Sequence, residues 1–100
     1  LGSYFVKLTA RAAGDLDETY NHIADAFKEI ETAEHMSDLL ETAILGLKEM
    51  PYRGAIRKKG AFANRGYRQL MVKNFTIIYR IDEAAKTVIV VTVRYTPSSF

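Results

Sequence analysis

The sequence predicts an α+β domain, a helical hairpin packed on one face of a mainly antiparallel sheet of about four strands, in the order β-α-α-β-β-β. Three observations predict it. Between Tyr67 and Tyr95 lie three short apolar, β-branched runs, YRQLMVK, FTIIYRI and TVIVVTVRY, joined by Asn74 and by DEAAK, both tight enough for antiparallel hairpins. Two earlier stretches repeat apolar residues at threes and fours, the period of an amphipathic helix. A short alternating run, YFVKLT, precedes both and fits one more strand. The helical pair must cover its apolar seam, and the sheet's apolar face is the surface of suitable size.

Each element has its own justification. Leu1-Gly2-Ser3 reads as the remnant of a cleaved expression tag. That leaves residues 4–100 as a single domain, and at 48% apolar content it can build one core without staples. In the first strand Tyr4, Val6 and Leu8 share a side, and Thr9 is placed to cap the first helix. That helix takes Ala13, Leu16, Tyr20, Ile23, Ala24, Phe27 and Ile30 as its stripe, with Asp15, Asp17, Glu18 and Asp25 elsewhere on it. Acids in its early turns suit the helix dipole. Gly14 costs the helix about 1 kcal/mol relative to alanine, either to admit a close neighbour or as a tolerated imperfection.

The second helix takes Thr32 as N-cap and Met36, Leu39, Leu40, Ala43, Ile44 and Leu47 as its stripe, and Pro51 stops it. Met36, Met50 and Met71 read as core filler. Along the middle strand of the C-terminal three, Phe75, Ile77, Tyr79 and Ile81 alternate with Thr76, Ile78 and Arg80, so one face of the sheet is apolar and the other carries charge. The last strand is apolar at nearly every position from Val88 to Val93 and is expected to be the most buried.

The net charge of +2 conceals a division. From Tyr4 to Met50 there are four Lys or Arg against ten Asp or Glu; from Pro51 to Phe100 there are ten against two. A basic half suggests a surface built to meet polyanions or an acidic protein, unless acidic helices and basic sheet neutralise each other inside the fold. The basic residues concentrate in MPYRGAIRKKGAFANRGYR, where Arg53, Arg57, Lys58, Lys59, Arg65 and Arg68 are interleaved with Tyr52, Phe62 and Tyr67. Such a loop can grip phosphates while rings stack on bases, or it can be a solvated, partly mobile loop that contacts nothing.

Catalytic constellations of the usual kinds are absent. There is no cysteine, hence no disulfide framework and no thiolate metal site. His22 and His35 fall on different helices without ligand spacing, so no metal and no cofactor are expected. No GxSxG elbow surrounds Ser37, Ser98 or Ser99, and Gly54, Gly60 and Gly66 match no phosphate-cradle spacing. Neither a secretory h-region nor a run of transmembrane length is present, so the cytoplasm is the expected compartment and no membrane partner is expected.

The chain resembles the RelE/ParE toxins of bacterial type II toxin–antitoxin systems across nearly its whole length, Tyr4 to Phe100. The resemblance rests on FVKLTARAAGDLDE, on LKEMPYRG after the second helix, and above all on GYRQLMVKNFTIIYRID followed by VIVVTVRY. It implies a small cytoplasmic protein that halts bacterial growth when free and is silenced by a cognate antitoxin, with a toxin–antitoxin hetero-oligomer as the resting form. Two mechanisms divide the family. ParE-like members poison DNA gyrase and cut nothing; RelE-like members cut mRNA on the ribosome without a metal, using basic residues to stabilise the phosphate transition state.

What the resemblance implies for single residues differs between the two. For a nuclease, the candidate catalytic residues are Arg68, which keeps the family's first basic position, and Arg94 and Tyr95 near the end of the last strand. Two positions depart from the nuclease pattern. Thr76 follows Phe75 where nuclease members place an arginine, and Thr96-Pro97 stand where they place further catalytic groups. Metal-free phosphoryl chemistry depends on positioned cations and proton-transfer groups, so these departures favour the gyrase reading. Ribosome-dependent cleavage is the alternative, and a non-toxic member that still binds antitoxin is a third reading. Arg57, Lys58, Lys59, Arg65 and Arg68 are the expected target- or nucleic-acid-binding residues. Arg53, Arg65 and Arg80 are the expected contacts for an acidic, amphipathic antitoxin segment.

Overall fold

The computed structural model describes residues 3–27 and 30–96, and the side chains of these apart from positions 24–27 and 30–31. The order is β1 (Phe5–Leu8), α1 (Ala10–Phe27), α2 (Ile30–Gly46), β2 (Ala55–Ile56), β3 (Arg68–Val72), β4 (Phe75–Asp82) and β5 (Thr87–Tyr95). Five strands form one sheet in the order β1-β5-β4-β3-β2. The α+β layer is as expected, but the sheet has five strands, because two residues of the glycine-rich loop pair with Gln69 and Arg68 as β2. β1 runs parallel to β5, while every other pairing is antiparallel.

Both hairpins form where the sequence places them. Val72 faces Phe75 across Lys73-Asn74, with Lys73 at φ 55° supplying the left-handed residue. Asp82 faces Thr87 across the second turn, where the Ala85 amide donates to the Asp82 carboxylate at 3.1 Å. A bulge lies between Ile78 and Tyr79, whose partners are Thr92 and Val90, so Val91 is the extra residue.

The core joins Ala12, Ile23, Ala33, Leu40, Ile44 and Leu47 of the helical layer to Leu70, Phe75, Ile77, Tyr79, Val88, Val90 and Val93 of the sheet. Thr9 caps α1, accepting from the Ala12 amide at 3.1 Å, and its own hydroxyl donates to the Val91 carbonyl at 3.0 Å. One cap thereby fixes both the start of α1 and its seat beside β5.

Several expectations are corrected. The buried alanine near the start of α1 is Ala12 rather than Ala13, since position 12 continues the turn spacing to Leu16 and Ile23. Ala24, Phe27 and Ile30 lie outside the described side chains. The first turn of α1 carries no acid. Asp15, in the second turn, directs its carboxylate to the sheet, where it accepts from the Thr92 hydroxyl at 2.5 Å and the Val93 amide at 3.0 Å. Thr32 is already inside α2 rather than ahead of it, and α2 ends at Gly46, five residues before Pro51. Tight turns such as Leu47 amide to Ile44 carbonyl close that end.

Burial also departs from the simple two-faced sheet. On β4 every residue from Phe75 to Tyr79 is buried, so Thr76 and Ile78 are covered on the face expected to carry charge, and only Arg80 there is exposed. β4, central in the sheet, is therefore more continuously buried than β5, where Ile89 and Val91 are only half-buried. Met36 packs on the core, whereas Met50 and Met71 are 62% and 54% exposed and fill nothing.

Candidate functional site

Two positions on β4, Tyr79 in its middle and Thr76 near its start, present different chemistry. At mid-strand Tyr79 is fully buried, and its hydroxyl donates to the Pro51 carbonyl at 2.8 Å and accepts from the Gly54 amide at 2.9 Å. Burial raises the Tyr79 pKa, opposed by the Gly54 amide and by the charges of Arg68 and Arg53. Gly54 is obligatory. A Cβ there would lie 2.4 Å from the Gln69 carbonyl oxygen and 2.6 Å from the Tyr79 oxygen, closer than any side chain tolerates. The connection from α2 to β2 is thus pinned to the middle of the sheet.

Arg68, the register partner of Tyr79, sits against this pinned loop. Its Nη1 donates to the Gly54 carbonyl at 2.7 Å, and its guanidinium lies 4.9 Å from the centre of the Tyr52 ring. The Tyr52 hydroxyl donates in turn to Glu83, a carboxylate that also accepts from Tyr4 and from Lys86. These donors, Tyr52 foremost, hold the Glu83 carboxyl well below the usual range, at about 2.

Near the start of β4, Thr76 and Thr96 face each other. Both are buried, their hydroxyls are 2.6 Å apart, the Thr96 amide donates to the Asn74 carbonyl, and the Thr76 hydroxyl also reaches the Met71 sulfur at 3.2 Å. These are the two positions at which the sequence departs from the nuclease pattern. They meet as a neutral, buried pair whose hydroxyls are bonded to each other.

Arg68, Arg94 and Tyr95 are not brought together. Arg68 pairs with Tyr79, while Arg94 and Tyr95 pair with Thr76 and Phe75. A separation of three to four residues along β4 is roughly 10–13 Å, and the odd spacing from Tyr79 to Thr76 puts Arg68 and Arg94 on opposite faces. Arg94 donates from Nε to Thr92 at 3.3 Å, and the exposed Tyr95 ring leans on Phe75 with centroids 5.3 Å apart.

The remaining cations divide as well. Arg57 is buried: Nε donates to the Ala61 carbonyl at 2.9 Å, Nη1 to Gln69 at 3.0 Å, and its backbone pairs with Tyr67 and Asn64. It braces the loop from the inside and is not offered to a target, contrary to expectation. Because of that brace the loop is a folded element. Lys58, Lys59 and Arg65 are exposed on it. Arg53 lies on the helix side, in a pocket with His35, Asp38 and Met71, whereas Arg80 is on the opposite face of the sheet. Among the described residues, none of Arg53, Lys58, Lys59, Arg65 and Arg80 is paired with a carboxylate; the ion pair present is Lys86–Glu83, at 2.9 Å.

A groove of about 1100 Å³ opens between the helical layer and the turn end of β4. Ile23, Met36, Phe75 and Val93 give it an apolar floor, and its charged lining is mixed, with Arg11, Lys73 and Arg94 beside Asp15 and Glu18. Gly14 lines it too, with nothing within 4 Å of a Cβ placed there, so the glycine admits no neighbour from its own chain. No three His, Asp or Glu of the described residues converge as metal ligands. No helix among them is long and apolar enough to cross a membrane.

Comparison with known proteins decides the family. A family model described as the ParE toxin of the type II toxin–antitoxin system parDE matches residues 6–97. The chain belongs to that family. It is a ParE/RelE-type toxin of a type II toxin–antitoxin module. None of the curated sequences compared matches it significantly. Among solved structures, the chromosomal ParDE system of P. aeruginosa aligns at 22% identity and TM-score 0.76, covering 94% of this chain and 97% of that one. The RelBE2 toxin–antitoxin complex of Mycobacterium tuberculosis aligns at 22% identity and TM-score 0.65, covering 98% and 97%. The isolated RelE toxin of E. coli aligns at 15% identity and TM-score 0.63, covering 97% and 88%. At such identities the structural likeness speaks for the fold.

Sequence reasoning missed the Tyr52–Glu83 cluster, the Thr76–Thr96 bond and the anchoring of Gly54 by Tyr79. Their partners lie 31, 20 and 25 residues apart, and no local period marks them.

Proposed function

We propose that this ParE-family toxin arrests bacterial growth by binding, as a ParE-like inhibitor of DNA gyrase, rather than by cutting RNA. The observation that carries the proposal is the buried Thr76–Thr96 pair. The two positions that would stabilise a phosphate transition state in a nuclease hold neutral hydroxyls engaged with each other. The separation of Arg68 from Arg94 and Tyr95 supports the same reading, because a reacting phosphate must be met from several sides within one site. Arg68 and the exposed Lys58, Lys59 and Arg65 are the target-facing cations in this account.

The partner that silences the toxin is a cognate antitoxin, in a cytoplasmic complex. Its docking segment is an amphipathic helix whose apolar side fills the groove over Phe75 and Val93, with acids placed at Arg11 and Lys73 and kept clear of Glu18 on the same rim. Of the expected contacts Arg53, Arg65 and Arg80, this account favours none as the main one, because Arg53 lies on the helix side and Arg80 on the other face of the sheet. Reversing Lys73 to glutamate is expected to weaken the complex, and reversing Arg80 to leave it unchanged.

The target is tested by inducing the protein alone in a bacterium. Accumulation of gyrase cleavage complexes with intact mRNA is the expected result. Cuts within codons of ribosome-bound mRNA would establish the RelE-like reading instead, and unimpaired growth would establish a non-toxic member.

A further inference from the structure

Arg68 is held on two sides. Its Nη1 is bonded to the Gly54 carbonyl and its plane lies against Tyr52, while among the described residues its Nε and Nη2 N–H groups have no acceptor. That leaves free the edge by which a guanidinium meets a carboxylate with two parallel hydrogen bonds. The Gly54 carbonyl is fixed by the Tyr79 anchor, whereas Tyr52 is 51% exposed and its ring is only partly enclosed. Its hydroxyl, at the far end of the ring, is bonded to Glu83.

Glu83 is itself tied down from three elements. Tyr4, just before β1, donates to both carboxylate oxygens at 3.0 and 2.8 Å; Lys86, across the β4–β5 turn, donates at 2.9 Å; and Tyr52 comes from the α2–β2 connection. Lys86 also lies 5.2 Å from the centre of the Tyr4 ring. Exposed groups bonded in this way add little to stability, so the arrangement matters for where it puts Tyr52.

We infer that Glu83 is a positioning residue: through Tyr52 it fixes the Arg68 guanidinium in the orientation that meets a carboxylate of the target protein. The inference rests on Arg68 belonging to the target-binding surface. Glu83 touches no target in this account; it acts at one remove, by denying Tyr52 the rotamers that would release the guanidinium.

The test uses the full chain labelled with 15N-arginine, and the variants Glu83→Ala, Glu83→Gln and Tyr52→Phe. The Arg68 Nε–H resonance of the parent protein carries the ring-current shift of Tyr52. In Glu83→Ala and Tyr52→Phe it moves towards the position of a free arginine, and Glu83→Gln, which keeps an acceptor oxygen, falls between. The toxin concentration giving half-maximal trapping of gyrase cleavage complexes rises about two- to fivefold in the same order, the equivalent of one exposed cation–π contact. The melting temperature stays unchanged throughout. An Arg68 resonance indifferent to Glu83→Ala overturns the inference, as does a moved resonance with an unmoved dose. If the parent protein traps no gyrase, the proposed target falls, and the resonance alone decides whether Glu83 orients Arg68.

Discussion

The middle and the start of β4 differ in what their hydroxyls do. At Tyr79 the hydroxyl ties a loop to the sheet and leaves an arginine standing at the surface; at Thr76 the hydroxyls tie to each other and leave nothing to offer. The same strand, equally buried at both positions, thus builds a presented cation at its middle and a sealed joint near its start. The difference teaches that a site in this fold is made by what the neighbouring loop brings to the strand. β4 itself contributes only the anchoring point.

The largest expected effect breaks the presenting position. Gly54→Ala drives a methyl group into the Gln69 carbonyl and the Tyr79 oxygen, and backbone on one side leaves no cheap relaxation. Urea denaturation is expected to register a loss of about 3 kcal/mol.

The sealed joint answers differently. Thr76→Val leaves the buried Thr96 hydroxyl without its partner and costs about 1–2 kcal/mol, while the double variant Thr76→Val, Thr96→Val removes both groups and regains most of it. A double-mutant cycle measures this directly. Equal and additive losses would mean that the two hydroxyls do not depend on each other.

A smaller change, in the stabilising direction, sharpens the contrast between core and groove. Gly14→Ala meets no atom of its own chain and is expected to raise stability by about 0.5–1 kcal/mol through α1. The added methyl projects into the groove, so an antitoxin helix seated there should bind the variant more weakly, as calorimetry would detect.

The least effect on stability belongs to Glu83, because the cluster is exposed. Its carboxyl pKa is lowered to about 2 from 4.5 by the Tyr52, Lys86 and Tyr4 hydrogen bonds. A depressed carboxylate contributes fully above its unfolded value, so the cluster is intact above about pH 4.5 and is lost as pH falls through about 2. Carbon-detected titration of Glu83 is expected to show a midpoint near 2, moved upward in Tyr52→Phe.

How much of this was legible in the sequence follows from the range of each interaction. Hairpins at Lys73-Asn74 and at Glu83–Lys86, the Thr9 cap and the two helices were readable because turn chemistry and period act within a few residues. The alternation of β4 misled at Thr76 and Ile78, since what covers that face is set by tertiary packing. The two-residue β2 carried no strand signal of its own; it exists because Arg57 and Tyr67 close the loop that follows it. Arg57 was read as a surface cation among others, and only its bonds to Ala61 and Gln69 mark it as internal. The motif departures at Thr76 and Thr96 were visible in the chain. That they meet in space was not.

One measurement sets the middle and the start of β4 against each other as determinants of toxicity. Arg68→Glu and the double variant Thr76→Val, Thr96→Val are induced separately at matched levels of folded protein, and growth is followed. If target binding runs through the presented arginine, Arg68→Glu abolishes arrest and the double valine variant arrests growth as the parent does. Arrest that survives Arg68→Glu but disappears with the two threonine hydroxyls would contradict it.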